Sequence, residues 1–135
     1  NEISVCFLLF YHIWNLMLYL KKHNCPAKAM TVKLNCIADV CLIPIGTPTP
    51  SVSKYVVACE KLIRNSGLTS KLHSAGTTIE GPWSEVMDLI GKLHEEVHKM
   101  GILRVQSDIR VGTRTDKSQT MEDKVNSVET QLSEK

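Results

Sequence analysis

Two threonines, a glutamate and a tryptophan lie within seven residues near the middle of the chain, in the segment HSAGTTIEGPW. The carboxylate of Glu80 accepts hydrogen bonds, the hydroxyls of Thr77 and Thr78 donate or accept them, and the Trp83 ring offers a flat wall. Alternation along a strand puts Thr78 and Glu80 on one face and Thr77 on the other. The segment is therefore a candidate wall of a small-molecule pocket. Alternatively, Glu80 pairs with a nearby lysine or arginine, and Trp83 fills the end of the core.

A second group of candidate binding residues follows the apolar run CIADVCLIPI, which has the length and the β-branched residues of a buried strand. Gly46 and Thr47 follow this run, and the prolines of GTPTPS then break the chain. Ser51 is the predicted N-cap of the next helix, because its side chain can accept bonds from free backbone N–H groups. Ser51 and Ser53 would also supply hydroxyls to a pocket at this end of the strand.

The segment HEEVH, residues 94–98, matches the HExxH pattern of zinc metalloproteases. Two histidines four positions apart share a helix face and can ligate zinc, with Glu95 as a base. A catalytic zinc needs a third protein ligand, and no glycine-histidine continuation follows the motif. The sequence therefore predicts no metal site.

The loop RVGTRTDK, residues 110–117, combines three cations with a glycine and two threonines. Such a loop can bind a phosphate, although it lacks the spacing of a P-loop. The alternative is a loop of salt bridges between subunits, in which Asp116 pairs with Arg110 or Arg114. Exposed clusters of cations are usually solvated or paired, which favours the second interpretation.

The composition predicts one globular domain without a nucleic-acid partner. The chain has 135 residues, of which 43% are apolar and 22% charged, and its net charge is only +2. The five cysteines are odd in number and form no CxxC pair. They therefore predict reduced thiols and a cytoplasmic location.

Residues 1–29 differ from the rest of the chain. Residues 5–20 are mostly apolar, and two lysines follow them. This run is shorter than the ~20 residues that span a bilayer, and its flanks are not those of a secretory signal. We therefore expect residues 1–29 to be an extension outside the folded domain rather than a membrane anchor. The folded domain is expected at residues 30–135, with Met30 as the natural start.

Hydrophobic periodicity predicts the element order β-α-β-β-α-β, followed by a weak C-terminal helix. The strands are expected at residues 36–45, 68–75, 77–81 and 102–111. The second and third helices are expected to be capped by Ser84 and Thr120. This order is that of the ferredoxin-like α+β sandwich, in which both helices cover one face of a four-stranded sheet. Because the first strand is apolar on both sides, we expect a homo-oligomer packed through the open sheet face.

Four motifs, in this order, resemble the small ferredoxin-like proteins of the thiamine-binding protein family, above all its fungal branch. They are ADVCLIPIGT, SVSKYV, LHSAGTTIEGPWSEVMDLIGKLHE and RVQSDIRVGTRTDK, and the resemblance covers about residues 30–135. The resemblance implies a homotetramer built from two dimers. It implies that some members bind thiamine or its hydroxymethylpyrimidine portion, and it implies no enzymatic activity.

The leading hypothesis is a non-catalytic carrier, buffer or sensor of thiamine or hydroxymethylpyrimidine, with no catalytic cofactor. The expected binding residues are Gly46, Thr47, Ser51, Ser53, Thr77, Thr78, Glu80 and Trp83. A carboxylate, hydroxyls and an aromatic wall suit a flat ring with an exocyclic amine and a positively charged second ring. The alternatives are a structural or regulatory homo-oligomer with no retained ligand, and a small enzyme with Glu80 as acid or base.

Overall fold

The structure is a computed structural model, and it describes Asn15 and residues 32–134. The chain divides into two compact units, Asn1–Thr31 and Val32–Lys135. The predicted extension, residues 1–29, lies outside the described residues apart from Asn15 and stays a prediction. None of the described helices is long and apolar enough to cross a membrane.

Between residues 32 and 134, four strands and three helices follow one another in the predicted order. The strands are β1 (Asn35–Ile45), β2 (Thr69–His73), β3 (Gly76–Pro82) and β4 (Arg104–Thr113). The helices are α1 (Ser53–Asn65), α2 (Trp83–Lys99) and α3 (Met121–Ser133). This arrangement confirms the predicted ferredoxin-like α+β fold with an added C-terminal helix.

The four strands form one antiparallel sheet in the order β2-β3-β1-β4. Ala38 of β1 lies opposite Ile79 of β3 on one side and opposite Val111 of β4 on the other. The long, apolar β1 is therefore a central strand, as its composition predicts. The short β2 lies at one edge, beside the turn that leads into β3.

The hydrophobic core lies between the sheet and the helices α1 and α2. Alternate residues of β1 point into it, and Cys36, Ala38 and Val40 are at most 4% exposed. The inner stripe of α2 is buried as its helical spacing predicts, and it consists of Val86, Leu89, Ile90, Leu93 and Val97. Because these side chains leave water together, the burial fixes the helix against the sheet.

The other side of the sheet, here called the open face, carries the remaining residues of each strand. On β1 these are Ile37, Asp39, Cys41 and Ile43, all partly exposed. Asp39 interrupts this apolar row, so the prediction that both sides of the first strand are apolar is wrong at that position. Homo-oligomerisation through the open face stays a prediction.

The predicted cap of α1 is wrong. The helix begins at Ser53, and its N-cap is Val52, which makes no side-chain capping bond. The hydroxyl of Ser51 lies 3.0 Å from that of Ser53 instead. The serine therefore bonds another side chain rather than the free N–H groups of the helix.

The predicted cap of α2 is also wrong, because Ser84 already lies inside the helix. The N-cap is Pro82, and Trp83 is the first helical residue. The N–H of Trp83 donates to the carbonyl of Leu34 at 2.8 Å. This bond to the segment before β1 satisfies a free N–H group that a side-chain cap would otherwise serve.

The C-terminal helix α3 has the capping residue that the sequence predicts. Thr120 accepts a hydrogen bond from the Asp123 N–H at 3.1 Å, and the Asp123 carboxylate accepts one from the Thr120 N–H at 2.9 Å. None of the residues of α3 is buried, and Val125, Val128 and Leu132 are 51%, 57% and 62% exposed. The apolar stripe of α3 is therefore not covered by the described part of the chain.

Candidate functional site

A small cavity lies between the second half of β1, the helix α1 and the β2–β3 turn, and we call it the hairpin cavity. Its volume is about 240 Å³. β1 pairs with β3 only as far as Val40, which lies opposite Thr77; beyond Val40, its pairing within the described strands is with β4 alone. The edge of β1 that β3 leaves free borders this cavity. The residues that line it include Val40, Cys41, Val52, Tyr55, Val56, Cys59, Leu72, His73, Ser74, Gly76 and Thr77.

The walls of the hairpin cavity are mainly apolar. Tyr55 and Cys59 form its buried part, and they are 2% and 5% exposed. Burial, with a smaller effect of two carboxylates, raises the pKa of the Cys59 thiol to about 11. This thiol therefore acts as a small apolar group and not as a nucleophile. The outer part of the cavity is lined by exposed apolar side chains, which are Val52, Val56 and Leu72.

A buried polar pair lies at the wall of the hairpin cavity. The hydroxyl of Thr77, which lines the cavity, donates to the carboxylate of Glu60 on α1, with 2.5 Å between the two oxygens. The two residues are 6% and 9% exposed. The other carboxylate oxygen of Glu60 lies 3.7 Å from the guanidinium of Arg64. Thr77 therefore brings a hydroxyl with a buried carboxylate partner to a mainly apolar cavity, whose other polar side chains are those of Tyr55, His73 and Ser74.

Glu80 lies on the opposite face of β3 from Thr77, as strand alternation predicts. Its carboxylate accepts a hydrogen bond from the Met121 N–H at 2.6 Å and so binds the N-terminus of α3, where the helix dipole favours a negative charge. Glu80 also lines a second, open groove of about 590 Å³. The basic residues of this groove are Lys33, Arg114, Lys117 and Lys124. Their charge favours anions over a positively charged ring.

The structure does not bring the remaining predicted binding residues into one cavity. Thr78 lies on the open face, opposite Asp39, and Trp83 packs against the core from the start of α2. The other four lie between β1 and the first turn of α1, and they are Gly46, Thr47, Ser51 and Ser53. The Thr47 hydroxyl donates to a carbonyl within its own loop at 2.8 Å. Of the eight predicted residues, only Thr77 lines the hairpin cavity.

An ionic cluster lies on the open face beside the cavity. The Asp39 carboxylate accepts from Arg110 at 2.8 Å and pairs with the ring of His73, also at 2.8 Å. His73 of β2 lies opposite Gly76 of β3, and its imidazole reaches Asp39 on β1. Although burial acts to raise the pKa of Asp39, the hydrogen bonds and charges of its two partners lower it.

The two histidines of HEEVH contact different parts of the chain. His94 Nε2 lies 3.0 Å from the Ser107 hydroxyl, and His98 Nδ1 lies 2.7 Å from the carbonyl of Ile102. Within residues 32–134 and at Asn15, no group of three or more histidine, cysteine, aspartate or glutamate side chains is arranged to hold a metal ion.

The charged loop before α3 contains an ion pair. The Arg114 guanidinium donates to both oxygens of Asp116, at 2.6 and 2.7 Å, and to Gln119 at 2.6 Å. The pairing of Asp116 with Arg114 was one of the predicted arrangements. It forms here within a single chain, and Arg110 pairs with Asp39 instead.

Glu60 is not among the residues predicted from the sequence to bind a ligand. A glutamate four residues before an arginine on a helix normally indicates a solvent-exposed ion pair. Its position in the helix could have indicated that Glu60 is buried, because Glu60 directly follows Cys59 of the buried stripe of α1. The contact with Thr77 spans 17 residues of sequence and depends on how α1 packs on the sheet.

A family model described as thiamine-binding protein matches residues 38–129. The chain is 57% identical over 102 residues to the UPF0045 protein ECM15 of Eremothecium gossypii, covering 76% of this chain and 97% of that protein. It is 41% identical over 100 residues to the UPF0045 protein YqgV of Bacillus subtilis, covering 71% and 96%.

Solved structures have the same fold. The structure of the hypothetical protein MJ1052 of Methanocaldococcus jannaschii superimposes with a TM-score of 0.65 at 29% identity, covering 70% of this chain and 96% of that one. TM0486 of Thermotoga maritima, described as a candidate thiamine biosynthesis or salvage protein, superimposes with a TM-score of 0.60 at 17% identity, covering 70% and 98%. At that identity, the second likeness shows the fold alone.

Proposed function

This chain belongs to the thiamine-binding protein family, and we propose that it binds thiamine, or the hydroxymethylpyrimidine portion of thiamine, without changing it chemically. Family membership suggests a small-molecule ligand, and the names of its curated relatives state no reaction. In this proposal the protein is a carrier, buffer or sensor in the cytoplasm. Thiamine is then its ligand and not a catalytic cofactor.

The observation that carries the proposal is the hairpin cavity with its buried polar pair. A mainly apolar cavity with a few well-placed polar groups is the usual form of a small-molecule site. Its volume of about 240 Å³ lies just below the ~300–1,000 Å³ typical of sites for drug-sized ligands. The cavity therefore fits a single ring better than the whole of a two-ring ligand.

Hydroxymethylpyrimidine matches the cavity chemically. Its flat ring packs against the buried Tyr55 and Cys59, and its exocyclic amine donates to the oxygen of Thr77. In whole thiamine, the thiazolium ring then lies at the exposed outer part of the cavity near Val56 and Leu72. Its positive charge thereby stays in contact with water and avoids the free-energy cost of burial.

The alternative position for the ligand is the site predicted around Glu80. That carboxylate already binds the N-terminus of α3, and the groove beside it is mainly basic. Both features disfavour a cationic ligand there. We therefore place the ligand in the hairpin cavity and keep the Glu80 site as the competing arrangement.

Calorimetric titration of the full chain with thiamine and with hydroxymethylpyrimidine tests the proposal. We expect saturable binding near one ligand per subunit. Val56→Trp places an indole ring at the cavity, which the ligand must displace from apolar surroundings before it can bind. This change should weaken binding at least about tenfold. The matched control is Val57→Trp, because Val57 is the next residue of α1, is 53% exposed and does not line the cavity.

Glu80→Gln distinguishes the two positions of the ligand. Unchanged affinity in this variant, together with weak binding in Val56→Trp, supports the hairpin cavity. Weak binding in Glu80→Gln with full binding in Val56→Trp would move the site to the basic groove. No heat with either ligand from the folded wild-type protein would reject thiamine binding.

A second candidate function is a structural or regulatory homo-oligomer that retains no ligand. The observation that favours it is the open face, where Ile37, Cys41 and Ile43 form an apolar row on both sides of the Asp39 cluster. We also propose that the ligand-binding protein itself is a homo-oligomer through this face, a dimer of dimers. A ligand and an oligomer are compatible, since the hairpin cavity extends to the helix side of the sheet.

A further inference from the structure

Glu60, a buried residue, fixes the direction of the hydrogen bond that the Thr77 hydroxyl makes at the hairpin cavity. Thr77 and Glu60 are 6% and 9% exposed, and 2.5 Å separates the hydroxyl from the carboxylate. An ionised carboxylate only accepts hydrogen bonds. The Thr77 hydroxyl has one hydrogen, and this hydrogen is given to Glu60. Toward the cavity, the Thr77 oxygen can therefore act only as an acceptor.

The second oxygen of the Glu60 carboxylate lies 3.7 Å from the Arg64 guanidinium, which is the distance of an ion pair and not of a hydrogen bond. Arg64 stands one helical turn after Glu60 at the surface of α1. The chain from Arg64 through Glu60 to Thr77 leads from solvent to the cavity wall. The Glu60 carboxylate therefore accepts a hydrogen bond from Thr77 at one oxygen, while the charge of Arg64 lies near the other oxygen.

The imidazole near the cavity is already occupied. His73 Nε2 contacts the Asp39 carboxylate at 2.8 Å, and its Nδ1 accepts from the Ala75 N–H at 3.4 Å. The imidazole therefore has no nitrogen left for a ligand. Of the two residues His73 and Thr77, Thr77 is the one that faces the cavity with a hydrogen bond of fixed direction.

We propose that Glu60, through Thr77, makes the hairpin cavity selective for rings that present a hydrogen-bond donor, such as an exocyclic amine, over the same rings carrying a carbonyl oxygen. This inference rests on the proposed function and names the positioning residue that sets its specificity. A carbonyl placed against Thr77 would bring two acceptors together in an apolar cavity, and both would lose their bonds to water. The expected discrimination is roughly 10- to 100-fold.

Thiamine and oxythiamine are a matched pair of probes, because they differ in this amine and a carbonyl oxygen. We expect the full-length wild-type protein to bind thiamine roughly 10- to 100-fold more tightly than oxythiamine in calorimetric titrations. Thr77→Val removes the acceptor and should reduce the ratio to about threefold or less, whereas Thr77→Ser should preserve it. The matched control is Thr78→Val, which changes the same residue type at the next position on the opposite face of β3.

Glu60→Gln tests the positioning role directly. The amide can turn its NH₂ toward Thr77, and the Thr77 hydroxyl is then free to donate into the cavity. In Glu60→Gln, the ratio of the thiamine affinity to the oxythiamine affinity should therefore fall, mainly because oxythiamine binds more tightly. General damage to the site would not make any ligand bind more tightly. Thermal unfolding followed by circular dichroism checks each variant, and the Thr77 pair carries the test if Glu60→Gln does not fold.

The outcomes separate this inference from the proposed function. Preference for thiamine that is lost in Thr77→Val and retained in Thr78→Val supports the inference. Equal binding of thiamine and oxythiamine by the wild type overturns it and leaves thiamine binding in place. A preference that survives in Thr77→Val also overturns it. If neither compound binds the wild type, the proposed function fails and the inference fails with it.

Discussion

Asp39 places a paired carboxylate in the apolar row that β1 presents on the open face. It lies on the central strand and contacts His73 of β2 and Arg110 of β4, so that one carboxylate links strands on both sides of it. A lone carboxylate in this apolar row would hinder packing against another surface, whereas a paired one is tolerated. Because its charge is paired, the Asp39 carboxylate is tolerated within an otherwise apolar row on a sheet face that is only partly covered.

Replacing Asp39 by asparagine should make the protein less stable at neutral pH but not in acid. The partners of Asp39 lower its pKa below the ordinary value of 3.8. A lowered pKa in the folded state contributes stability above 3.8 that is lost as the pH falls through the folded value. Urea unfolding should show a difference of at most about 1 kcal/mol at pH 7 that shrinks as the pH falls below 3.8.

Asp108→Asn is the control for the variant at Asp39. Asp108 lies on the same face of β4, two residues from Arg110, and makes no hydrogen bond or ion pair with the described residues. Its replacement should leave the pH dependence of stability unchanged. Equal effects of the two variants would contradict a specific role for the cluster.

Among the elements, the β2–β3 hairpin determines where the cavity lies. Its turn precedes Gly76, and β3 approaches β1 so closely there that a β-carbon at Gly76 would lie 2.5 Å from the carbonyl oxygen of Val40. Backbone at that distance cannot give way as a flexible side chain can. The glycine is needed for a close approach of strands, since its φ is not positive.

Gly76→Ala should therefore lower the free energy of unfolding by about 1–3 kcal/mol, the range for overpacked sites. Gly91→Ala is the matched control, because a β-carbon at this exposed position of α2 meets nothing within 4 Å. That change should be neutral or stabilise the protein by about 0.5–1 kcal/mol, since alanine favours a helix. Urea denaturation of both variants measures the contrast, and equal midpoints would contradict the close approach.

Most of the elements could be predicted from the sequence, because hydrophobic spacing is a local property. An apolar run predicted β1, alternation predicted β4, two extended segments around a turn predicted β2 and β3, and helical spacing predicted the buried side of α2. The helix starts were less predictable: Ser51 and Ser84 have the right chemistry for caps, but Val52 and Pro82 occupy the capping positions. The cavity was the hardest to predict. Alternation separates Thr77 from Thr78, but only tertiary packing brings Glu60 to Thr77.

At the scale of the whole molecule, two apolar surfaces remain uncovered in the described chain. One is the row on β1 that includes Ile43, and the other is the stripe of α3. Uncovered apolar surface on this scale usually marks an interface. Cys41 of this row also lines the hairpin cavity, but Ile43 and the stripe of α3 do not, and so a change at Ile43 tests assembly separately from ligand binding.

Ile43→Glu should dissociate the proposed oligomer and leave the fold intact. A charge in the apolar row must lose water when subunits pack together, which strongly disfavours assembly. Size-exclusion chromatography with light scattering should give the mass of four protomers for the wild type and a smaller mass for the variant. Val57→Glu, on the exposed side of α1, is the control and should keep the wild-type mass. A wild type that is already monomeric would refute assembly through this face.

The three described cysteines differ in exposure, and this difference has a practical consequence. Cys36 and Cys59 are buried, and burial raises the pKa of both thiols, whereas Cys41 is partly exposed on the open face. An alkylating reagent should therefore modify Cys41 first once Cys6 and Cys25 have been replaced by serine. If subunits cover the open face, the rate at which Cys41 is labelled measures how often the subunits dissociate and exchange. Labelling should then be slow at high protein concentration and faster on dilution.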